Sequence, residues 1–296
     1  AMWRWNGTAV NANGYFNKQN DPPAPRGFVN DNQWAASFGG PIKKNKTFFF
    51  VDTEGLRLIV PVSRAVNVPT QQFQDAVLAN IAAVQPTELS LYQSMFNTYN
   101  HAPGSAGAAN TLRNGGCTAD FLGTLGFGAN QPCALQYFST VKGSTHEWLL
   151  TGRLDHIFSD TDKIFGHYRM DRGVQASFTD ALNPIFDVTS VQPIYEGQVQ
   201  WTHTIGTSAV NSLSLNGSHA SAVFVEPKLQ EALQLQPVEL IFSGGWLASA
   251  GRGYSAFPQG RNVTEYGFVD DLGWTLGNHS LKFGANYSRY DITDHD

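Results

Sequence analysis

The connections between candidate strands constrain this chain more than any single motif does. Period-two alternation of apolar and polar residues, bounded by turn formers, marks strands at residues 2–6, 32–40, 47–59, 147–158, 163–172, 196–205, 211–224, 264–276 and 281–292. Four connections are tight: KKNK at 43–46, SDTD at 159–162, GTSAV at 206–210 and GNHS at 277–280. They alternate strictly with excursions of about 20 to 90 residues, far longer than ordinary hairpin loops. Consecutive antiparallel strands place alternate connections at opposite ends of a sheet. All the short turns therefore lie at one end and all the long loops at the other, as in transmembrane β-barrels.

Composition agrees with an all-β chain. Charged residues make up 15% and aromatics 12%, with 29 Gly and 14 Pro, so strand and turn formers outweigh helix-stabilising charge pairs. At 296 residues there is room for one large β domain or two ordinary ones. A net charge of −5 leaves no basic field, and no Lys/Arg cluster is interleaved with aromatics, which speaks against nucleic acid as a partner. No run of about 18 apolar residues occurs, so no membrane-spanning helix is expected. A spanning β-strand needs only about 10 alternating residues, which a mean hydropathy of −0.25 permits. The chain opens AMWRWNG, with no basic and apolar leader and as though already inside a strand, and is expected to be a fragment.

Strand faces follow from the same alternation. Trp148, Leu150, Leu154, Val199, Trp201, Leu281, Phe283 and Tyr287 fall on one face and are expected to point outward. Arg153, Asp155, Gln200, Thr202, Lys282 and Asn286 fall on the other and are expected to point inward. A soluble sheet with one wet face gives the same pattern, so the loop asymmetry is what tilts the reading to a barrel. Phe48, Phe49 and Phe50 follow a turn that carries Lys43, Lys44 and Lys46. They are expected to form an aromatic girdle at the membrane interface with the lysines among headgroups; the alternative is a core strand of a soluble sandwich.

Three stretches carry a family resemblance. NQWAASFGGPIKKNKTFFFVDTEGLR resembles the opening barrel strands of Oar-like TonB-dependent outer-membrane receptors. LLTGRLDHIFSDTDKIFGHYRMD is similar to that family's GR-D-H-F-S-D-K hairpin, and FVDDLGWTLGNHSLKFGANYSRY to its D-x-x-x-W-x-x-G-x-H-x-x-K-F-G hairpin. The three occur in the family's order between residues 32 and 290, with His167 where Arg is common and Trp34 where Phe is usual. The resemblance implies an antiparallel up-and-down meander, a partial transmembrane β-barrel in the bacterial outer membrane whose long extracellular loops carry short helices. Residues 1–296 would be the amino-terminal part of the wall, with a long extracellular loop at about 60–146. The plug domain, the carboxypeptidase-regulatory-like domain and the TonB box have no counterpart here. The implied function is active transport of a nutrient of unknown identity, with outer-membrane lipid, the plug and TonB of the intact transporter as partners. A secreted β-sandwich adhesin or glycan-binding module is the alternative function, and a barrel-embedded hydrolase a third.

The remaining motifs concern the loops. Cys117 and Cys133 lie in the longest excursion; a bridge closing about 15 residues contributes roughly 3 kcal/mol and suits an oxidising exterior, and two unpaired thiols are the alternative. Thr70 is a candidate N-cap for a helix with Phe73, Val77, Leu78 and Ile81 on one face, and a second helix carries Tyr92, Met95, Phe96 and Tyr99. These helices either grip a ligand as a lid or pack the loop over the barrel mouth. The eight histidines are scattered without ligand spacing, so no metal or cofactor is expected. No nucleophile elbow or phosphate loop occurs, and Asp270 and Asp271, adjacent in a strand, face opposite sides and make no acid/base pair, so no enzyme is expected.

Overall fold

The structure is a computed structural model that describes residues 1–19, 23–61, 65–106, 112–113, 133–242, 247–251 and 257–295. Its strands are β1 (Met2–Gly7), β2 (Asn30–Lys43), β3 (Thr47–Pro61), β4 (Ala65–Pro69), β5 (Leu112–Arg113), β6 (Ala134–Phe138), β7 (Lys142–Ile157), β8 (Asp162–Phe178), β9 (Val188–Val191), β10 (Ile194–Ile205), β11 (Ala209–Val225), β12 (Gln259–Leu276) and β13 (His279–His295). The α-helices are α1 (Tyr15–Gln19), α2 (Gln71–Val84), α3 (Leu89–Asn100) and α4 (Leu229–Leu235).

One antiparallel sheet runs β1-β2-β3-β7-β8-β10-β11-β12-β13, and the short β9 joins it by pairing with β8 and β11. We call this sheet the wall. Apart from β9, each wall strand hydrogen-bonds to the next main wall strand in sequence, as expected for a meander. The wall is a single sheet rather than two packed face to face, which excludes the sandwich. A small second sheet, β4-β6-β5, belongs to the β3–β7 connection. Several wall strands run longer than the alternation marks: β12 begins at Gln259 rather than 264 and β8 continues to Phe178 rather than 172. Backbone pairing continues past the segment in which one face must be apolar.

All four short turns close at the same end. Lys43 pairs with Thr47 across the basic turn, where Asn45 takes φ 58°, a left-handed conformation that Asn tolerates better than most residues. Leu276 pairs with His279 around Gly277 and Asn278; Gly277, at φ 58°, supplies the positive φ that the first position of a type II′ hairpin demands.

The wall has no apolar core of its own. Among the described residues, none of the buried apolar side chains belongs to β1–β3, β7, β8 or β10–β13. The core sits instead at the long-loop end, where three connections meet. The β3–β7 connection supplies Val66, Val68, Phe73, Val77, Met95, Phe96, Tyr99 and Tyr137, the β8–β10 connection Ala181 and Leu182, and the β11–β12 connection Leu247 and Ala250. We call this body the crown. Thr70 caps α2 as expected, accepting from the Phe73 amide at 3.1 Å. Helices α2 and α3 turn their apolar faces into this core, so they pack the loop.

Phe96 is 3% exposed in that core. Phe96→Ala is expected to cost the crown about 3–5 kcal/mol. Limited proteolysis should then cut between residues 70 and 100 while far-UV circular dichroism keeps the wall's strand signal.

Candidate functional site: the polar wall face and the loop crown

Register assigns every wall side chain to a face, because residues paired across an antiparallel ladder point the same way. Leu154 pairs with Gly166, Gly166 with Val199, Val199 with Leu215, Leu215 with Phe268 and Phe268 with Tyr287. That row also includes Phe49 of β3. Trp148, Leu150, Trp201, Leu281 and Phe283 occupy neighbouring rows of the same face. These side chains are open to the surroundings, with Leu154 at 50%, Leu215 at 54% and Phe283 at 55% exposure, and in water such a surface would be aggregation-prone. Trp34 lies flat across Gly55, whose Cβ would fall 2.2 Å from the indole, so glycine there lets a large ring cover bare backbone.

The opposite face is polar and internally hydrogen-bonded. Gln198 donates to Ser214 at 2.7 Å and Gln200 to Ser212 at 2.9 Å, joining β10 to β11. Arg153 donates twice to Asp155, at 2.8 and 2.7 Å, and its guanidinium lies 3.9 Å from the centre of the Phe165 ring. Arg169 reaches Glu196 at 3.4 Å. Thr202, Lys282 and Asn286 lie on this face with them, so both expected sets hold together. Asp270 pairs with Leu213 and Asp271 with Ser212, on opposite faces as expected.

The phenylalanine triplet is corrected by the register. Phe49 pairs with Gly40 and Leu154 on the apolar face, whereas Phe48 and Phe50 pair with Asp155 and Arg153 on the polar one. Three consecutive strand residues cannot share a face, so only Phe49 can serve an outward girdle. Phe48, Phe165, Lys163 and Thr202 instead line a recess of about 440 Å³ on the polar face.

In the crown, polar groups are tied across connections. The Tyr99 hydroxyl donates to the Ala248 carbonyl, and Ser94 donates to Leu235 at 2.9 Å. Tyr137 and Ser139 both donate to the Ala181 carbonyl, at 3.3 and 3.0 Å. Burial, reinforced by the Asp180 charge, pushes the Tyr99 and Tyr137 hydroxyls above the usual tyrosine range, so both stay protonated donors. A crevice of about 270 Å³ opens between α2, α3 and the β11–β12 connection, lined chiefly by Phe73, Ile81, Tyr92, Phe96 and Phe242. Cys133 is fully buried and its carbonyl accepts from the Thr70 amide at 2.9 Å; Cys117 lies outside the described residues.

Two carboxylic acids at the crown's base had no sequence signal. Burial, opposed by the Asp180 amide and reinforced by the Asp180 charge, pushes Asp187 up to about 6. Glu226, whose two oxygens have no hydrogen-bond partner among the described residues, is the second. Neither stands in a motif: Asp187 accepts from the Asp180 amide at 2.8 Å within one connection, whereas Glu226 comes near Asp180 only through the meeting of two loops.

An apolar outward face on strands long enough to cross a bilayer, short turns at one end and packed loops at the other describe a membrane barrel wall. The match of residues 3–296 to the outer membrane beta barrel domain family decides the matter. The chain belongs to that family. The barrel domain accordingly resides in the bacterial outer membrane, with its apolar face toward lipid and its polar face toward the lumen. No curated protein is significantly similar to it in sequence. Among solved structures it is similar to FpvA of P. aeruginosa bound to a heterologous pyoverdine–iron complex, at 8% identity and a TM-score of 0.41, covering 90% of this chain and 31% of that one. It is also similar to BauA, the ferric preacinetobactin receptor from Acinetobacter baumannii, at 11% identity and 0.38, covering 90% of this chain and 35% of that one. The barrel domain thus spans about a third of the length of these solved structures.

Leu215→Arg, on the lipid face of β11, is expected to destabilise the folded barrel domain by about 2–4 kcal/mol if it lies near the bilayer midplane. Asn286→Arg, on the lumen face, should stay within about 0.5 kcal/mol. Urea unfolding in detergent or lipid vesicles compares the two directly.

Proposed function

We propose that this chain is the amino-terminal part of the barrel wall of an Oar-like TonB-dependent outer-membrane transporter. The β3–β7 connection, about residues 60–146, would be a long extracellular loop. The wall supplies lipid-facing surface, lumen lining and loops, and no catalytic chemistry. The plug domain and TonB of the intact transporter are its expected partners, and a nutrient bound at the loops and plug its cargo. What supports this reading is that the three stretches resembling the family fall on three hairpins, β2–β3, β7–β8 and β12–β13, whose turns share one end. Family membership and the lumen-facing network of Gln198, Gln200, Arg153 and Arg169 agree with it. We also propose that Cys117 and Cys133 are bridged.

In cells producing the intact receptor, site-specific cross-linkers on its periplasmic side should capture TonB. Uptake of its nutrient should stop in a strain lacking TonB while surface binding persists. Uptake unaffected by loss of TonB would overturn the transporter reading. For the bridge, alkylation of the denatured, unreduced chain should add no label, and both cysteines should label after reduction. Two labels without reduction would remove it.

A further inference from the structure

The connection that leaves β11 begins with a buried carboxylic acid. Glu226 directly follows Val225, the last residue of β11, and is 8% exposed. Both of its side-chain oxygens are sealed from solvent and meet no hydrogen-bond donor among the described residues. Its backbone carbonyl accepts from the Leu229 amide at 3.3 Å, so its position fixes the start of α4. Among the described residues, the charges that act on it are of its own sign: Glu239 from the same connection and Asp180 from the β8–β10 connection. Asp187 lies beside Asp180, and Lys228 is the cation that acts on Asp187.

Within this group the proton has an evident seat. Asp180, 2% exposed, accepts from the amides of Leu182 at 2.7 Å and Asn183 at 2.9 Å, and two donors of that kind favour an ionised carboxylate. Glu226 has no such donor. A buried carboxylate without donors, beside two carboxylates, persists only as the neutral acid.

We propose that Glu226 is a protonation switch that holds the β11–β12 connection against the crown in acid and loosens it as the medium becomes neutral to alkaline. Burial first, and then the Glu239 and Asp180 charges, push its carboxyl up to about 7. In a released loop the carboxyl returns to its ordinary value of 4.5. The packed form is therefore fully favoured below about pH 4.5, loses ground as the pH rises from there, and is least favoured above about 7. Because Leu247 and Ala250 of this connection carry part of the crown's core and the Ala248 carbonyl accepts the Tyr99 hydrogen bond, releasing it opens the crown over the barrel mouth. The switch depends on the crown alone and stands whether or not the barrel is driven by TonB.

The test is hydrogen exchange read by mass spectrometry on the intact protein carrying this domain, in detergent, at pH 5 and pH 8. After correction for intrinsic base catalysis, peptides covering residues 226–242 should exchange at least about tenfold faster at pH 8. Glu226→Gln, which copies the neutral acid, should keep them slow at both values. Glu239→Gln, which removes a like charge, should move the midpoint of the acceleration to lower pH. Equal exchange at the two pH values in the wild type, the same acceleration in Glu226→Gln, or a Glu226→Gln crown that fails to form, would each overturn the switch.

Discussion

Backbone amides and carbonyls inside hydrocarbon find no water, so each must be paired within the protein. That requirement governs this molecule. The ladders running from β1 to β13 satisfy it by pairing each main wall strand with the next, and a residue-by-residue register is the result. Once register is set, side chains sort themselves. A slip of β11 by one residue against β10 would turn Leu215 to the lumen and Ser214 to lipid while Val199 and Gln198 stayed in place, breaking both the continuous apolar surface and the Gln198–Ser214 bond.

The wall and the crown are stabilised by different physics. In water a chain folds by hiding apolar side chains from solvent. Here the wall leaves them uncovered, because the surrounding lipid is itself apolar, and spends its polar side chains on hydrogen bonds across the lumen face. The crown, which faces water, is built conventionally, around Phe73, Phe96, Tyr99 and their neighbours. Its three contributing connections are far apart in sequence, yet each starts from the same end of the wall, so the meander brings them together. The carboxyl groups of Asp180, Asp187 and Glu226 form a cluster in which burial and like charge push the last two up.

The nine main wall strands, their antiparallel order, the two faces and the N-cap at Thr70 were legible in the sequence, whereas β9 and the small β4-β6-β5 sheet were not. Each legible feature is a local property: alternation is set by the pleat, turn ends by residues such as Gly277, and helix starts by a side chain three residues from its donor. Strand ends were legible only in part. Above the lipid-facing zone both faces meet protein or water, alternation relaxes, and β12 starts five residues before its pattern does. The phenylalanine triplet misled for the opposite reason. Its local density suggests one belt, but the pleat sends Phe49 to lipid and Phe48 and Phe50 to the lumen.

By itself, then, the sequence determined that this chain is an antiparallel wall with one apolar and one polar face, short turns at one end and long loops at the other. Only the tertiary structure decided that the long loops share a core, that Arg153 stacks on Phe165, and that Glu226 lies near Asp180 with no donor among the described residues. The physical reason is range. A strand's face follows from residues two apart, whereas contact between residues 180 and 226 depends on how two loops descend onto the same strand ends, which no local pattern encodes.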